Sequence, residues 1–270
     1  MRTTSNPAFR NLPQQGGYAN FDRQAGAMGA GAAAADARAS QGGFGPAATG
    51  ERRLTIDDVV MKTAISGGVA LATGIGTAMS GLFVLTLPAF IVGFVVSLIV
   101  IFKQSTNPAL VLLYSAAMGV ALGGITGALE LSGTNFEGIG FQAVVGTVGV
   151  FIGMLIVYKT GAVRVTPRFT KWLMGAMIGV VVLMLVNLVV SFFTIGGIGL
   201  RDASPLAYLF SIVCIGVAAF SLLLDFDQAD RAVREGAPAK FAWYIAFGLM
   251  TTLVWLYIEI LRLLSYFRSN

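Results

Sequence analysis

An apolar run leads without a break into three aspartates, Asp225, Asp227 and Asp230, in the stretch LLLDFDQADRAVR. A carboxylate that faces hydrocarbon is costly, so an acid at this place either marks the exit of the chain from a membrane or lies inside it for a function. Carboxyl groups titrate, and their oxygens are ligands that calcium prefers. The stretch therefore raises two hypotheses: a membrane boundary, or a site that responds to protons and cations.

Few other charges lie near the apolar segments of the chain. Lys103 ends one such segment, and Glu259 and Arg262 lie inside another. Glu259 and Arg262 are three residues apart, which is the spacing of a pair on one face of a helix. Each of these charges also fits a solvated place at a membrane interface, so a functional and a structural interpretation both stay open at this point.

The composition excludes most enzyme chemistry. The 270 residues include no histidine and one cysteine, Cys214, so an intrachain disulfide, a Cys/His metal site and a His-based triad are excluded. No paired nucleophile and base, and no phosphate-binding loop, can be assembled from the other residues, and we expect neither an enzyme nor a cofactor. The net charge of +5 comes from basic residues scattered between apolar segments, a pattern that does not indicate nucleic-acid binding.

The elements that must position these charges are membrane-spanning helices. The chain is 56% hydrophobic and 11% charged, whereas about 25% of the residues of a soluble protein are charged. Thr55 and Asp58 have the spacing of a capping box, and Asn107, Thr166 and Ser204 each precede a proline, as helix caps do. We predict an all-α membrane protein with seven transmembrane helices. They cover about residues 59–80, 83–102, 109–131, 141–158, 172–196, 206–224 and 242–265.

The first 52 residues differ from the rest in composition. They are rich in Gly, Ala, Gln and Asn, and they have too few large apolar side chains to form a core. We predict a disordered cytoplasmic tail at 1–52 and a transmembrane domain at 53–270. The beginning of the chain lacks the apolar region of a signal peptide, so we expect the tail to be retained.

The basic residues divide unevenly between the two sides of the predicted bundle. The side opposite the tail receives only Arg201, Arg262 and Arg268. The side of the tail receives Arg52, Arg53, Lys62, Lys103, Lys159, Arg164, Arg168, Lys171, Arg231, Arg234 and Lys240. By the positive-inside rule the tail is cytoplasmic and the C-terminus is outside, in an inner or plasma membrane. Asp225 is then at the cytoplasmic end of helix six.

Small residues recur at helical spacing in helices three and four. Gly119, Gly123 and Gly127 are four residues apart, and Gly146, Gly149 and Gly153 follow one another at spacings of three and four. Such spacing lets helix backbones approach closely inside a membrane, so we interpret both sets as packing contacts rather than as a pore. We interpret Asn187, inside helix five, as a hydrogen-bonding residue between helices.

A known pattern runs through helices three, six and seven. It consists of YSAAMGVALGGI in helix three, LLLDFDQA at the end of helix six and AFGLMTTLVWLYIEILRLL in helix seven. These stretches resemble the Bax inhibitor-1 family, also called the transmembrane Bax inhibitor motif family, and particularly its bacterial YccA-like branch. The resemblance covers roughly residues 55 to 268. It implies a seventh helix surrounded by the other six and a pH-sensitive calcium leak, in which an acidic pair joins helices six and seven near the cytoplasmic face.

The resemblance also assigns roles to single residues. Asp225 matches the helix-six aspartate, and Lys103 is the nearest basic counterpart of a residue that latches onto the acidic pair. Asp227 and Glu259 are further candidates for the pH sensor and ion gate, and Asp225 and Glu259 for ligands of a calcium ion in transit. In the ungapped alignment through ILRLL, which we favour, the second aspartate of the family falls on Thr252, and Glu259 lies about 10 Å nearer the outside. Pairing Asp225 with Glu259 instead requires seven extra residues between the two helices.

Two functions follow from these observations. Two carboxyl groups that share a low-dielectric site cannot both ionise cheaply, so deprotonation replaces a shared hydrogen bond by repulsion. With the resemblance, this leads us to expect a membrane protein that passes calcium or other cations under the control of pH. The alternative is a non-conducting regulator that binds another membrane protein, such as a protease, through its tail or loops. The expected partners are thus the lipid bilayer, cations and, in the alternative, a membrane protein.

Overall fold

The computed structural model of the protein describes residues 51–194, 197–200 and 204–269. In this part of the chain it has seven helices long and apolar enough to cross a membrane, which confirms the predicted all-α fold. They are α1 (Ile56–Ser80), α2 (Thr86–Lys103), α3 (Pro108–Leu131), α4 (Ile139–Thr160), α5 (Pro167–Ser191), α6 (Pro205–Arg234) and α7 (Phe241–Ser269). The predicted tail lies outside the described residues, except for Glu51 and Arg52.

The predicted capping side chains fix the starts of four helices. Thr55 and Asp58 form a capping box: the Thr55 hydroxyl accepts a hydrogen bond from the Asp58 backbone N–H at 3.3 Å, and the Asp58 carboxylate accepts one from the Thr55 N–H at 3.1 Å. Asn107, Thr166 and Ser204 each accept a backbone N–H at the starts of α3, α5 and α6, just before a proline. Because the first N–H groups of a helix have no acceptor within it, these caps stabilise the helix ends.

The end of α6 differs most from the prediction. The apolar run predicts an end at residue 224, but α6 continues to Arg234 and has 30 residues. At 1.5 Å per residue this is about 45 Å, longer than the roughly 30 Å hydrocarbon core. Ion pairs one turn apart, Asp227–Arg231 at 2.6 Å and Asp230–Arg234, support the extra turns. Asp225 therefore lies inside a helix, more than two turns before its end.

Helices α1 and α3 pack closely through glycine. A Cβ atom on Gly123 would lie 2.1 Å from the carbonyl oxygen of Gly74, and one on Gly119 would lie 2.3 Å from another carbonyl oxygen of α1. These distances confirm the packing role predicted for helix three. In α4 the prediction is confirmed for Gly146, where a Cβ atom would lie 3.2 Å from the Ile260 side chain of α7. It is wrong for Gly149 and Gly153, where a Cβ atom would meet no atom within 4 Å.

Helix α7 contacts several of the other long helices, not only the one that a loop connects it to. It packs extensively against α1, α3, α4 and α6, while α2 packs mainly against α3, and α5 against α6. Side chains of the two outer helices still share buried clusters with α7: Val100 of α2 with Phe247, and Val180 of α5 with Trp255. In the described part of the chain, helix seven thus has four close neighbours and two more distant ones.

Residues 51–54, which we call the N-terminal strap, lie against the loop between α6 and α7. The backbone N–H of Leu54 donates to the carbonyl oxygen of Ala237 at 2.8 Å, and Glu51 pairs with Lys240 at 2.9 Å. Leu54 is buried. The strap therefore joins the start of α1 to the α6–α7 loop at one end of the bundle.

We call this end the basic end; α1, α3, α5 and α7 begin there. Short loops between consecutive helices make neighbours antiparallel, so α2, α4 and α6 end there. Among the described residues, only Arg262 and Arg268 of the basic side chains lie toward the opposite end. The basic end carries Arg52, Arg53, Lys62, Lys103, Lys159, Arg164, Arg168, Lys171, Arg231, Arg234 and Lys240.

Asn187 has a structural role, but its partner is not another helix. Its side-chain oxygen accepts a hydrogen bond from the backbone N–H of Ile198 at 3.0 Å. Helix α5 ends at Ser191, earlier than the predicted residue 196, so the amide reaches the segment that follows its own helix. The predicted hydrogen bond between helices is therefore wrong, and Asn187 instead stabilises the turn after α5.

Candidate functional site

Asp225 of α6 makes a direct contact with α7. Its Oδ2 atom accepts a hydrogen bond from the hydroxyl of Thr252 at 2.7 Å. The same hydroxyl lies 3.4 Å from the carbonyl oxygen of Gly248, one turn earlier in α7. Because the contact crosses the extensive interface of α6 and α7, a change of charge on Asp225 acts directly on the junction of these helices.

A cavity of about 240 Å³ lies beside this pair. Its volume is several times the roughly 30 Å³ that one water molecule occupies in the liquid, so it can hold water or a partly hydrated cation. Polar groups on its wall can act as hydrogen-bond partners or cation ligands. Besides Asp225 and Thr252, the wall includes Ile101, Gln228, Tyr244, Gly248 and Thr251.

The other two aspartates of α6 have basic partners. Asp227 pairs with Arg231 at 2.6 Å, and Asp230 pairs with Arg234 and also accepts a hydrogen bond from the Tyr158 hydroxyl at 3.1 Å. Neither lines the cavity. Among the three, Asp225 alone lacks a basic partner within the described residues. The structure therefore does not bring Asp227, a predicted sensor residue, to the Asp225 site.

Lys103, the predicted latch, lies at the end of α2. Ile101, two residues earlier, lines the cavity, but Lys103 itself is exposed. Among the described residues, no ion pair joins Lys103 to Asp225. Lys103 and Asp225 are thus on two helices that line the same cavity, but the structure shows no contact between the two side chains.

Glu259 lies elsewhere on α7. It follows Thr252 by seven residues, or about 10 Å, in the direction away from the basic end. Its carboxylate is 1% exposed and accepts two hydrogen bonds from Arg262, both at 2.9 Å. A buried carboxylate needs such a charged partner. The two residues assigned to a calcium ion in transit, Asp225 and Glu259, therefore lie at separate places.

An apolar cluster formed by α2, α3 and α7 adjoins the Asp225 cavity. Phe247 both lines the cavity and belongs to this cluster, with Tyr114, Met118, Met250 and Val254 among its other members. The rings of Tyr114 and Phe247 pack edge to face, with centroids 4.9 Å apart. Packed side chains thus fill the space between α2, α3 and α7 next to the cavity.

Sequence reasoning found part of this site. The ungapped alignment puts Thr252 in the place of the second aspartate, and the structure puts the Thr252 hydroxyl against Asp225. The ion pair of Asp227 with Arg231 has a sequence signal, the spacing of four residues, that the prediction did not use. Gln228 and Tyr244 were missed, and no local pattern singles them out.

Comparison with known families gives a match over nearly the whole chain. A family model described as Bax inhibitor 1 like matches residues 6–269. The match covers all seven helices and the Asp225 site. A search of curated proteins finds no match.

Proposed function

The chain belongs to the Bax inhibitor-1 family, and from this premise we propose that it passes calcium or other cations passively through the cell membrane under the control of pH. The observation that carries the proposal is the Asp225–Thr252 pair. An aspartate without a basic partner among the described residues is bonded across the α6–α7 interface, at the edge of a cavity. The proposed role is not enzymatic.

Asp225 is the proposed proton switch. When ionised, it accepts the hydrogen bond from Thr252; when protonated, its own O–H becomes a donor, and the Thr252 hydroxyl can turn to the carbonyl oxygen of Gly248. Protonation also removes the negative charge that attracts a cation to the cavity, an attraction that is strong at low dielectric. One proton would therefore alter both the contact between two helices and the entry of the ion.

The apolar cluster is the proposed barrier. A cation cannot cross packed hydrocarbon, so conduction requires Phe247 and Met250 to separate from Tyr114 and Met118. Phe247 and Met250 lie on α7 within five residues of Thr252. A movement of α7 that starts at Thr252 would thus reach the barrier directly.

The ligands near Asp225 suit an ion in transit. Calcium takes six to eight oxygen ligands, whereas this cavity offers one carboxylate, hydroxyl groups, an amide and room for water. Weak binding of this kind allows an ion to leave again. Glu259, engaged by Arg262, is not part of the proposed entry, and Lys103 would reach Asp225 only after α2 moves.

The proposed orientation puts the basic end in the cytoplasm. The described basic residues lie almost entirely at that end, and positive charge favours the cytoplasmic side. The cavity beside Asp225, the proposed proton switch, would then face the cytoplasm.

Cation flux into liposomes that contain only this protein tests the proposal. We expect calcium entry, reported by an indicator inside the vesicles, to exceed that of protein-free vesicles and to change with pH. If folded protein gives no flux at any pH for calcium or monovalent cations, the non-conducting regulator becomes the better account.

A further inference from the structure

A second cavity, of about 590 Å³, lies between α1 and α4. We call it the lateral groove. Its floor is formed by α3 and α7, and its walls include Leu71 and Ile75 of α1 and Val148 of α4. These three side chains are exposed, by 45%, 58% and 47%. Because α1 and α4 do not pack extensively against each other, the groove opens sideways at the depth of the bilayer hydrocarbon.

The groove has the depth of one leaflet. Its lining residues on α1 run from Gly67, near the middle of the helix, to Met79, at the end opposite the basic end. Twelve residues of helix measure about 18 Å, and half of the hydrocarbon core is about 15 Å. The groove therefore extends from near the bilayer midplane to the interface of one leaflet, as a phospholipid acyl chain does.

A carboxylate lies at the interfacial end of the groove. Glu130, one residue before the end of α3, lines the groove, and its Oε1 atom accepts a hydrogen bond from the backbone N–H of Gly140 at 3.1 Å. Its Oε2 atom accepts no hydrogen bond from any described residue, and none of the described basic side chains pairs with it. A carboxylate oxygen without a partner at headgroup depth favours an ammonium group, which donates strong charge-assisted hydrogen bonds.

We propose that the lateral groove binds one phospholipid of this leaflet, with an acyl chain along the groove and the ammonium of an ethanolamine headgroup at Glu130. The floor suits a hydrocarbon chain, because the hydroxyls of Thr126 and Tyr257 are bonded to each other at 2.8 Å and need no further partner. The acyl chain of the lipid would fill the space that separates α1 from α4. This inference does not depend on cation conduction.

Native mass spectrometry of the full-length protein in mild detergent tests the acyl-chain part of the inference. Phosphatidylethanolamine and phosphatidylglycerol with the same acyl chains are added at equal concentration, and retained lipid is counted per chain. We expect the protein to retain one phosphatidylethanolamine and several-fold less phosphatidylglycerol. Val148→Trp fills the groove and should lower retention several-fold. Val145→Trp is the control, because Val145 lies on the same helix, is 53% exposed and does not line the groove.

Glu130→Gln tests the headgroup part. A glutamine oxygen can still accept the hydrogen bond from Gly140, so the variant removes the charge and keeps the contact with α4. We expect it to lose the preference for phosphatidylethanolamine, whereas Glu137→Gln, at an exposed residue outside the groove, keeps it.

Two results would overturn the proposal: equal retention by Val148→Trp and Val145→Trp, or an unchanged headgroup preference in Glu130→Gln. If Val148→Trp does not fold, as judged by its thermal unfolding, Leu71→Trp on the opposite wall replaces it. Its control is Ile65→Trp, at a residue of α1 that is 42% exposed and outside the groove.

Discussion

At the scale of single residues, the proposed switch differs from the structural acids in the kind of side chain that it contacts. Asp227, Asp230 and Glu259 each face an arginine, and protonation of any of them would break an ion pair. Asp225 faces a hydroxyl, which can both donate and accept a hydrogen bond. Both charge states of Asp225 can therefore keep a hydrogen-bond partner on α7, as a switch requires.

Thr252→Val tests this contact by removing the hydroxyl while keeping a similar shape. The half-buried carboxylate then loses its hydrogen-bond donor, so we expect the free energy of unfolding to fall by about 1–3 kcal/mol. Thr77→Val is the matched control, because the buried Thr77 hydroxyl bonds to the carbonyl oxygen of Thr73 in its own helix and lies outside the cavity beside Asp225. Thermal unfolding in detergent at neutral pH is the measurement. Equal losses in the two variants would show that the Asp225 contact contributes no more to stability than a hydrogen bond within one helix.

The residues of the site were predictable from the sequence only where a local pattern or an alignment points to them. Asp225 follows from its place after an apolar run, and Thr252 from the alignment through ILRLL. Gln228 and Tyr244 line the cavity because α2, α6 and α7 meet there with particular rotations. These rotations depend on packing between helices distant in sequence, which no short stretch encodes.

At the scale of helices, the capping residues and most boundaries were predictable, whereas the end of α6 was not. Capping residues mark the starts of four helices in the sequence, because a cap acts within one turn. They are Thr55, Asn107, Thr166 and Ser204. The end of α6 was predicted ten residues too early, because hydropathy reports the exit from hydrocarbon rather than the end of the helix. Beyond that exit, paired charges one turn apart continue the helix in water.

The glycines of α3 and α4 offer a matched comparison of packing. Gly123→Ala would put a methyl group 2.1 Å from a carbonyl oxygen of α1, so α1 and α3 must separate, and we expect a loss of about 1–3 kcal/mol in stability. Gly149→Ala meets open space, and alanine favours helix over glycine by about 1 kcal/mol, so no loss is expected. Thermal unfolding of both variants is the measurement. Similar losses in the two would contradict the close α1–α3 contact.

At the scale of the whole molecule, the N-terminal strap sets the limit to which the tail can be removed. We expect deletion of residues 1–50 to leave the transmembrane domain stable, because those residues have few large apolar side chains. Deletion of residues 1–54 also removes buried Leu54 and its bond to Ala237, and should lower the unfolding temperature clearly. A large loss already in the shorter deletion would show that the tail docks on the domain.

Cysteine labelling of intact cells tests the proposed orientation. The one native cysteine, Cys214, is buried, so introduced cysteines should dominate the signal. We expect an impermeant reagent to label a cysteine at position 268 and to spare one at position 30, because the basic end should face the cytoplasm. The reverse pattern would invert the topology and would place the Asp225 site near the outer face.

The pH dependence of calcium flux in Asp225→Asn tests the central claim most directly. Asparagine keeps the shape of the side chain and cannot titrate, so the variant should retain flux in liposomes but lose most of its response to pH. Asp230→Asn, at an acid of the same helix paired with Arg234, is the control and should keep the response of the unmodified protein. If Asp225→Asn keeps that response while Glu259→Gln abolishes it, Glu259 is the sensor and the assignment of Asp225 as the proton switch is wrong.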